Sequence, residues 1–317
     1  MASTKTKSKG RAAGRPGGRP GRPVARKATA ADWISGARPR TLTLAVAPVV
    51  LGSAAASTVN RFDWHLALLC LLVSLFLQIG VNYSNDYSDG IRGTDAYRLG
   101  PPRLTGGGVA NPKRVRNVAF VFFAAAAAAG IAVVIITQFW WLLAVGAACV
   151  VAAWFYTGGK RPYGYNAMGE IFVFVFFGLV ATAGTTFVQM HRVPEVAWVM
   201  AVMIGLFSCA VLMINNIRDI PQDRLAGKKT LAVVLGGRWA RIVYALFLVL
   251  PYVLLIYFAF LYFGGGYVYF TGFLTAPALI IGVTAKTPGE MILALKLSSF
   301  SALAFSLALS AVVFFLL

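Results

Sequence analysis

This 317-residue chain is poor in charged side chains, and acids are the scarcest of them. Only 12% of its residues are Asp, Glu, Lys or Arg, about half of the roughly 25% typical of soluble globular domains. Hydrophobic residues make up 59% of the chain, and its mean hydropathy is +0.74. These values exclude an ordinary soluble domain and indicate a protein built for lipid.

Cysteine and histidine are also scarce, with three and two residues respectively. Cys70, Cys149 and Cys209 fall inside apolar runs and have no spacing typical of a metal site. We interpret them as small packing residues. His65 and His191 lie at the ends of apolar runs, where an interfacial position is expected.

Long apolar runs fill most of the chain after its N-terminal segment. Nine of them, at about 20 residues each, are long enough to cross a hydrocarbon core of about 30 Å. Backbone in lipid must satisfy its own hydrogen bonds, so each run is predicted to be a helix. The runs lie at about 42–59, 64–84, 115–136, 140–157, 167–189, 194–217, 239–262, 267–284 and 294–317. The predicted fold class is an all-α integral membrane protein with nine transmembrane helices.

The distribution of basic residues predicts the orientation of these helices. With the N-terminus inside, 27 of the 29 Lys and Arg residues fall in cytoplasmic segments, and Arg61 and Arg192 remain outside. Cytoplasmic loops carry an excess of Lys and Arg in membrane proteins. We therefore expect a cytoplasmic N-terminus in a multi-pass protein of the plasma membrane.

The chain divides into a basic tail at residues 1–31 and a transmembrane domain at residues 32–317. The tail is rich in Gly, Pro, Ala and Arg, and such a composition cannot bury a core. We predict a disordered polybasic segment beside anionic lipid headgroups. The net charge of +19 therefore requires no nucleic-acid partner.

Five of the ten carboxylates occur in two short segments where apolar runs end. Members of each segment recur at intervals of four residues, which places them on one face of a helix. Mg²⁺ prefers oxygen ligands and is usually held by one or two carboxylates together with substrate phosphates. A metal site against a phosphate-bearing ligand is predicted, and the alternative is that these acids cap helix ends. The candidate ligands are Asn85, Asp86, Asp89, Asp95, Asn215, Asp219 and Asp223, of which Asp89, Asp219 and Asp223 are the predicted catalytic acids.

Basic residues flank both acidic segments and are candidates for binding the phosphate oxygens. Arg binds them in bidentate fashion, and Lys acts as a point charge. The candidates are Arg92, Arg103, Lys113, Lys160, Arg161, Arg224, Lys228 and Lys229.

Four motifs resemble those of the UbiA-type intramembrane prenyltransferases. They are Asn-Asp-Tyr-Ser-Asp (85–89), Tyr-Thr-Gly-Gly-Lys-Arg-Pro (156–162), Gly-Glu-Ile-Phe-Val-Phe-Val-Phe-Phe-Gly (169–178) and Asn-Asn-Ile-Arg-Asp-Ile-Pro-Gln-Asp-Arg-Leu-Ala-Gly-Lys-Lys-Thr (215–230). The resemblance covers the chain from about residue 32 to its C-terminus. It is greatest to the branch that acts on 1,4-dihydroxy-2-naphthoate in menaquinone biosynthesis.

The resemblance implies a bundle of nine helices around a central chamber. It also implies that the acidic motifs bind Mg²⁺, as two ions, together with a polyprenyl diphosphate. The implied ligands are Asn85, Asp89, Asp219 and Asp223, supported by Asp86 and Asp95. Where many members carry a third acid four residues after Asp89, this chain has Gly93.

The implied reaction transfers a polyprenyl group from polyprenyl diphosphate to 1,4-dihydroxy-2-naphthoate. Carbon dioxide and diphosphate are lost, and the product is demethylmenaquinol. Arg38 and Arg40 precede the first apolar run and are candidates for binding the acceptor carboxylate. Tyr87 and Tyr156 are candidates for stabilising a transient allylic cation, since a cation is attracted to an aromatic face.

Three alternatives stay open from the sequence. The same fold could prenylate another acceptor, such as 4-hydroxybenzoate or a porphyrin. A CDP-alcohol phosphatidyltransferase would carry an Asp-Gly-x-x-Ala-Arg signature, which is absent after Asp89. A membrane transporter would place charged residues near the bilayer midplane, whereas these acids cluster at one membrane face.

Overall fold

The computed structural model describes residues 26–95 and 103–315, and most of the predicted basic tail lies outside this part of the chain. The described residues are helical and contain no β-strand. The helices are α1 (Ala30–Ala37), α2 (Thr43–Ser57), α3 (Trp64–Arg92), α4 (Pro112–Thr137), α5 (Leu142–Phe155), α6 (Gly169–Met190), α7 (Glu195–Leu225), α8 (Leu231–Leu261), α9 (Gly265–Thr284) and α10 (Pro288–Phe315).

Each predicted apolar run overlaps one of the helices α2 to α10. Seven of the described helices, namely α3, α4 and α6 to α10, are long and apolar enough to cross a membrane. The segment Ala30–Thr41, which begins with α1, passes the same test together with α2 as one span bent by 44°, and α5 is a shorter apolar helix. The all-helical class is thus confirmed, with seven spans by length and composition, or eight with the bent pair.

Helices α3 and α7 extend beyond the apolar runs that predicted them. They continue to Arg92 and Leu225, so both acidic motifs lie in the final turns of helices. A proline inside a helix usually ends or kinks it, yet α7 continues through Pro221. Helix α3 ends at Gly93, whose φ of 73° allows its N–H to donate to the carbonyls of Asp89 and Gly90.

Helix α7 is the central helix of the bundle. In its most apolar stretch 72% of the residues are buried, against 17% to 56% in the other six long helices. Large side chains such as Phe207, Met203 and Ile214 are fully buried there. The second acidic motif therefore stands on the most enclosed element of the protein.

Helices α6 and α7 meet backbone to backbone. A Cβ added at Gly178 of α6 would lie 2.7 Å from the Cα of Gly205 on α7. Small residues permit this kind of close helix packing in membranes. Around the contact α6 widens into a π-helical segment, Phe174–Val180, and such segments often occur near functional sites.

A turn that follows α3 is attached to that helix by Asp86. Both carboxylate oxygens of Asp86 accept backbone N–H groups, from Leu104 and Thr105, at 2.8 Å each. Thr105 also packs against Gly90, where an added Cβ would lie 2.4 Å from the Thr105 side chain. Asp86 is 1% exposed, so this carboxylate holds the turn within the protein.

We predict that Asp86→Ala lowers the free energy of unfolding by about 3 kcal/mol, because it leaves a buried and a part-buried N–H group without an acceptor. Thermal unfolding in detergent and limited proteolysis at residues 103–110 measure the effect. Glu290→Ala is the matched control, since Glu290 also accepts two backbone N–H groups but is exposed. Equal stability of the two variants would contradict a structural role for Asp86.

Candidate active site

A large cavity of about 400 Å³ runs into the bundle along α3. Its wall includes Cys70 and Asp89, which are separated by about 28 Å at the helical rise of about 1.5 Å per residue. At the Asp89 end the wall is rich in polar and charged groups. At the other end it consists mainly of apolar side chains and glycines, with a few uncharged polar residues such as Ser74 and Thr185. The cavity therefore suits a long ligand with one charged end.

Asp89 has both a polar and a charged partner at the polar end. Its Oδ1 accepts a hydrogen bond from the Tyr165 hydroxyl at 2.6 Å and is 3.2 Å from Nζ of Lys228. The Lys228 ammonium also lies over the Tyr165 ring, 4.5 Å from its centroid. Burial alone would lower the pKa of Lys228, but its attraction to Asp89, Tyr165 and Asp223 outweighs this and raises the pKa. Lys228 is therefore a charged link between the two acidic motifs.

Asn85 lies one turn before Asp89 and is connected to the segment after α5. The Thr157 hydroxyl donates to Oδ1 of Asn85 at 2.7 Å. The guanidinium of Arg92 binds the carbonyls of Thr157 and Gly159, so the same segment is held at two points of α3. These contacts position the motif 156–162 against the first acidic motif.

The second acidic motif is organised by a buried arginine, Arg218. Its Nε and Nη2 donate to the two oxygens of Asp219, at 2.7 and 2.5 Å. Nη2 also donates to Oδ1 of Asn215 at 2.9 Å. Arg218 is 3% exposed, and a buried charge of this kind requires a partner. Arg218 thus fixes the orientation of two neighbouring oxygen donors.

The cavity brings together more than half of the site residues predicted from the sequence. Those in its wall are Arg38, Asn85, Asp89, Asp95, Tyr156, Asn215, Asp219, Asp223 and Lys228. Arg103, another predicted phosphate contact, also lines it.

The other predicted site residues lie outside the cavity wall. Arg40 is half-buried beside the positive charges of Arg103 and Arg218. Tyr87 stacks on Trp154, with ring centroids 6.3 Å apart. Asp86 and Arg92 make the structural contacts described above, and the remaining basic residues are exposed: Lys113, Lys160, Arg161, Arg224 and Lys229.

Three residues of the site were not predicted from the sequence: Thr157, Tyr165 and Arg218. Thr157 and Tyr165 lie in an irregular segment, where no periodicity indicates which side chain faces which helix. Arg218 did carry a signal, because it lies between Asn215 and Asp219 on adjacent turns of one helix.

The donor set at the polar end fits a divalent cation shared with a phosphate ligand. In the described part of the chain, no group of three or more His, Cys, Asp and Glu side chains is close enough to hold an ion by itself. Mg²⁺ in phosphate-binding enzymes usually takes only one or two carboxylates and completes its coordination with substrate phosphates and water. Two opposed acidic motifs with amide oxygens beside them match that pattern.

Comparisons with known proteins identify the family. The model of the UbiA prenyltransferase family matches residues 45–290. A 1,4-dihydroxy-2-naphthoate octaprenyltransferase of Mycobacterium tuberculosis is 48% identical over 217 residues, which are 68% of this chain and 74% of that protein. The protein of the same name from Mycobacterium leprae is 50% identical over 222 residues, 70% of this chain and 75% of the relative.

Solved structures share the fold. A UbiA homolog from Archaeoglobus fulgidus bound to GPP and Mg²⁺ superposes with a TM-score of 0.62 at 15% identity, over 89% of this chain and all of that one. The apo structure of a UbiA homolog from Aeropyrum pernix gives a TM-score of 0.62 at 16% identity, over 84% of this chain and 96% of that one. The family model matches residues 45–290, and the two mycobacterial relatives are 48% and 50% identical to this chain. The chain therefore belongs to the UbiA prenyltransferase family.

Proposed function

We propose that this protein transfers a polyprenyl group from polyprenyl diphosphate to 1,4-dihydroxy-2-naphthoate, with loss of CO₂ and diphosphate. The observation that carries the proposal is the cavity, whose charged end contains both acidic motifs and whose other end is apolar. The names of the relatives at 48% and 50% identity support the same donor and acceptor. They favour this acceptor over 4-hydroxybenzoate or a porphyrin, and a transferase over a transporter.

The diphosphate of the donor binds at the charged end. The oxygen donors of the two motifs hold Mg²⁺ there, as two ions, and the residues in that role are Asn85, Asp89, Asn215, Asp219 and Asp223. When bound, Mg²⁺ supplies positive charge to the diphosphate as it leaves. Lys228 and Arg103, both in the cavity wall, add fixed positive charge at the place where negative charge develops.

The ring carbon that is prenylated loses its carboxylate, so no proton has to leave that carbon. The allylic carbon–oxygen bond breaks, and the electron-rich ring forms a new bond to the allylic carbon at the position that carries the carboxylate. The carboxylate departs as CO₂, and its bonding electrons restore the aromatic ring. Arg38, in the cavity wall, holds the acceptor carboxylate before the bond forms, and the face of Tyr156 stabilises the allylic cation.

We further propose nine transmembrane spans with a cytoplasmic N-terminus and an active site facing the cytoplasm of the plasma membrane. The proposal counts the seven long helices, adds the bent pair as an eighth span and takes the short apolar helix α5 as the ninth. The concentration of Lys and Arg at one set of loops supports the orientation.

Asp89→Ala and Asp219→Ala should each lower turnover at least 100-fold, as should chelation of Mg²⁺, because the leaving diphosphate loses its counter-charge. The measurement is chromatographic separation of prenylated naphthoate formed by the purified protein.

Asp63→Ala provides a matched control at the opposite end of α3. Asp63 caps that helix by accepting the N–H groups of His65 and Leu66, so its loss affects stability and leaves the chemistry intact. Wild-type turnover by either motif variant would remove that residue from the site.

The apolar end of the cavity has room for the isoprenoid tail. Gly130 of α4, Gly146 of α5 and Gly184 of α6 line it. A Cβ added at Gly146 or Gly184 would meet nothing within 4 Å, and one added at Gly130 would meet Val73 only at 3.9 Å. Three helices thus present bare backbone to the same apolar space. We propose that this space sets the length of prenyl chain that the enzyme accepts.

Gly146→Leu and Gly184→Leu should reduce kcat/KM for long polyprenyl diphosphates about tenfold or more relative to geranyl diphosphate, since apolar pocket contacts discriminate by about this amount. A series of donors of increasing length, tested one by one, provides the ratio.

The control is Gly237→Leu on α8. A Cβ added at Gly237 also meets nothing within 4 Å, but Gly237 does not line the cavity. An unchanged length preference in both cavity variants would place the tail elsewhere.

A further inference from the structure

A glutamine deep in the cavity wall has no role in the site described so far. Gln78 lies on α3 and lines the cavity with 8% of its surface exposed. It precedes Asn85 by seven residues, which is nearly two full helical turns, so both side chains project from the same face. The same spacing places Gln78 about 10 Å farther from the diphosphate end than Asn85.

The side-chain carbonyl of Gln78 has no hydrogen-bond partner among the described residues. Its neighbour one turn along, Asn82, by contrast donates from its side-chain amide to the carbonyl of Ala37 at 2.9 Å. A buried acceptor without a partner is unfavourable and rare in native structures. Its position in a cavity wall indicates that the partner is a ligand.

The ligands of the proposed function differ in what they offer to such a carbonyl. The diphosphate binds about 10 Å away and carries only acceptor oxygens, and the isoprenoid tail has no polar hydrogen. The aromatic acceptor carries two hydroxyl groups, and it must lie next to the allylic carbon, just beyond the diphosphate. A hydroxyl of the acceptor therefore matches Gln78 both in depth and in hydrogen-bonding chemistry.

We infer that the side-chain carbonyl of Gln78 accepts a hydrogen bond from a hydroxyl of the aromatic acceptor and so orients the ring against the allylic carbon. The inference rests on the proposed function and adds the residue that recognises a phenolic hydroxyl. A hydroxyl that donates a hydrogen bond is also richer in electron density at its oxygen, which favours attack by the ring. Gln78 is thus a binding residue for the class of hydroxylated aromatic acceptors.

The test compares wild-type protein with Gln78→Leu and with Gln78→Met, which keeps the length of the side chain without its carbonyl. Calorimetric titration measures binding of 1,4-dihydroxy-2-naphthoate, 1-hydroxy-2-naphthoate and 4-hydroxy-2-naphthoate to the full chain. We expect both variants to bind the dihydroxy compound about tenfold more weakly, the loss of about one hydrogen bond. Both variants should also bind 1,4-dihydroxy-2-naphthoate and the analogue that lacks the contacted hydroxyl with the same affinity.

Two further readouts separate recognition from a structural role. The KM for polyprenyl diphosphate should stay at its wild-type value, and Tm should be equal or higher, because an unpaired buried carbonyl is removed. Gln189→Leu is the control: this buried glutamine bonds Ser53 and Asp63, so its loss lowers Tm and leaves acceptor binding unchanged.

Acceptor binding within twofold of wild type in both Gln78 variants overturns the inference and leaves the proposed function standing. A lower Tm with equal weakening of donor and acceptor overturns it as well, since Gln78 would then only support the fold. Wild-type protein that prenylates another aromatic acceptor and does not bind 1,4-dihydroxy-2-naphthoate overturns the proposed function itself.

Discussion

The contact of Asp89 with Lys228 and Tyr165 joins three segments that are far apart in the sequence. Asp89 belongs to the last turns of α3, Tyr165 to the segment between α5 and α6, and Lys228 to the turn after α7. A carboxylate that is 4% exposed would be costly in a membrane protein without such partners. Because this charge must be paired, the two acidic motifs and the segment after α5 meet at one end of the cavity.

The fold was largely predictable because lipid leaves the backbone few choices. A long apolar run must satisfy its own hydrogen bonds, so composition and length suffice to identify a helix. The residues at which the helices end were harder to predict from the sequence. Helices α3 and α7 continue for two or more turns past their apolar runs because Asn85, Asp89, Asp219 and Arg218 are held by partners inside the protein. Hydropathy measures affinity for lipid and carries no information about such pairing.

The candidate site was predictable where residues repeat on one helix face and harder elsewhere. Periodicity assigned Asn215, Asp219 and Asp223 to one surface, and all three line the cavity. Proximity in the sequence was a weaker guide for the basic residues: Lys228 meets Asp89, whereas the adjacent Lys229 is exposed. The direction of a side chain in a turn depends on backbone dihedrals that the neighbouring elements decide, and the local sequence does not encode them.

The backbone contact between Gly178 and Gly205 joins two different walls of the cavity. Helix α6 supplies aromatic side chains such as Phe172 and Phe176, and α7 supplies Asn215 and Asp219. An added Cβ would lie 2.7 Å from the Gly205 Cα at Gly178, and 2.8 Å from the Phe174 ring and 3.3 Å from the Gly178 Cα at Gly205. A larger residue at either position therefore pushes α6 or its side chains away from α7. A substitution at either glycine would therefore lower activity as a substitution in the active site does, although neither position is charged or carries any reactive group. Natural variants at this crossing should be read as alterations of cavity width.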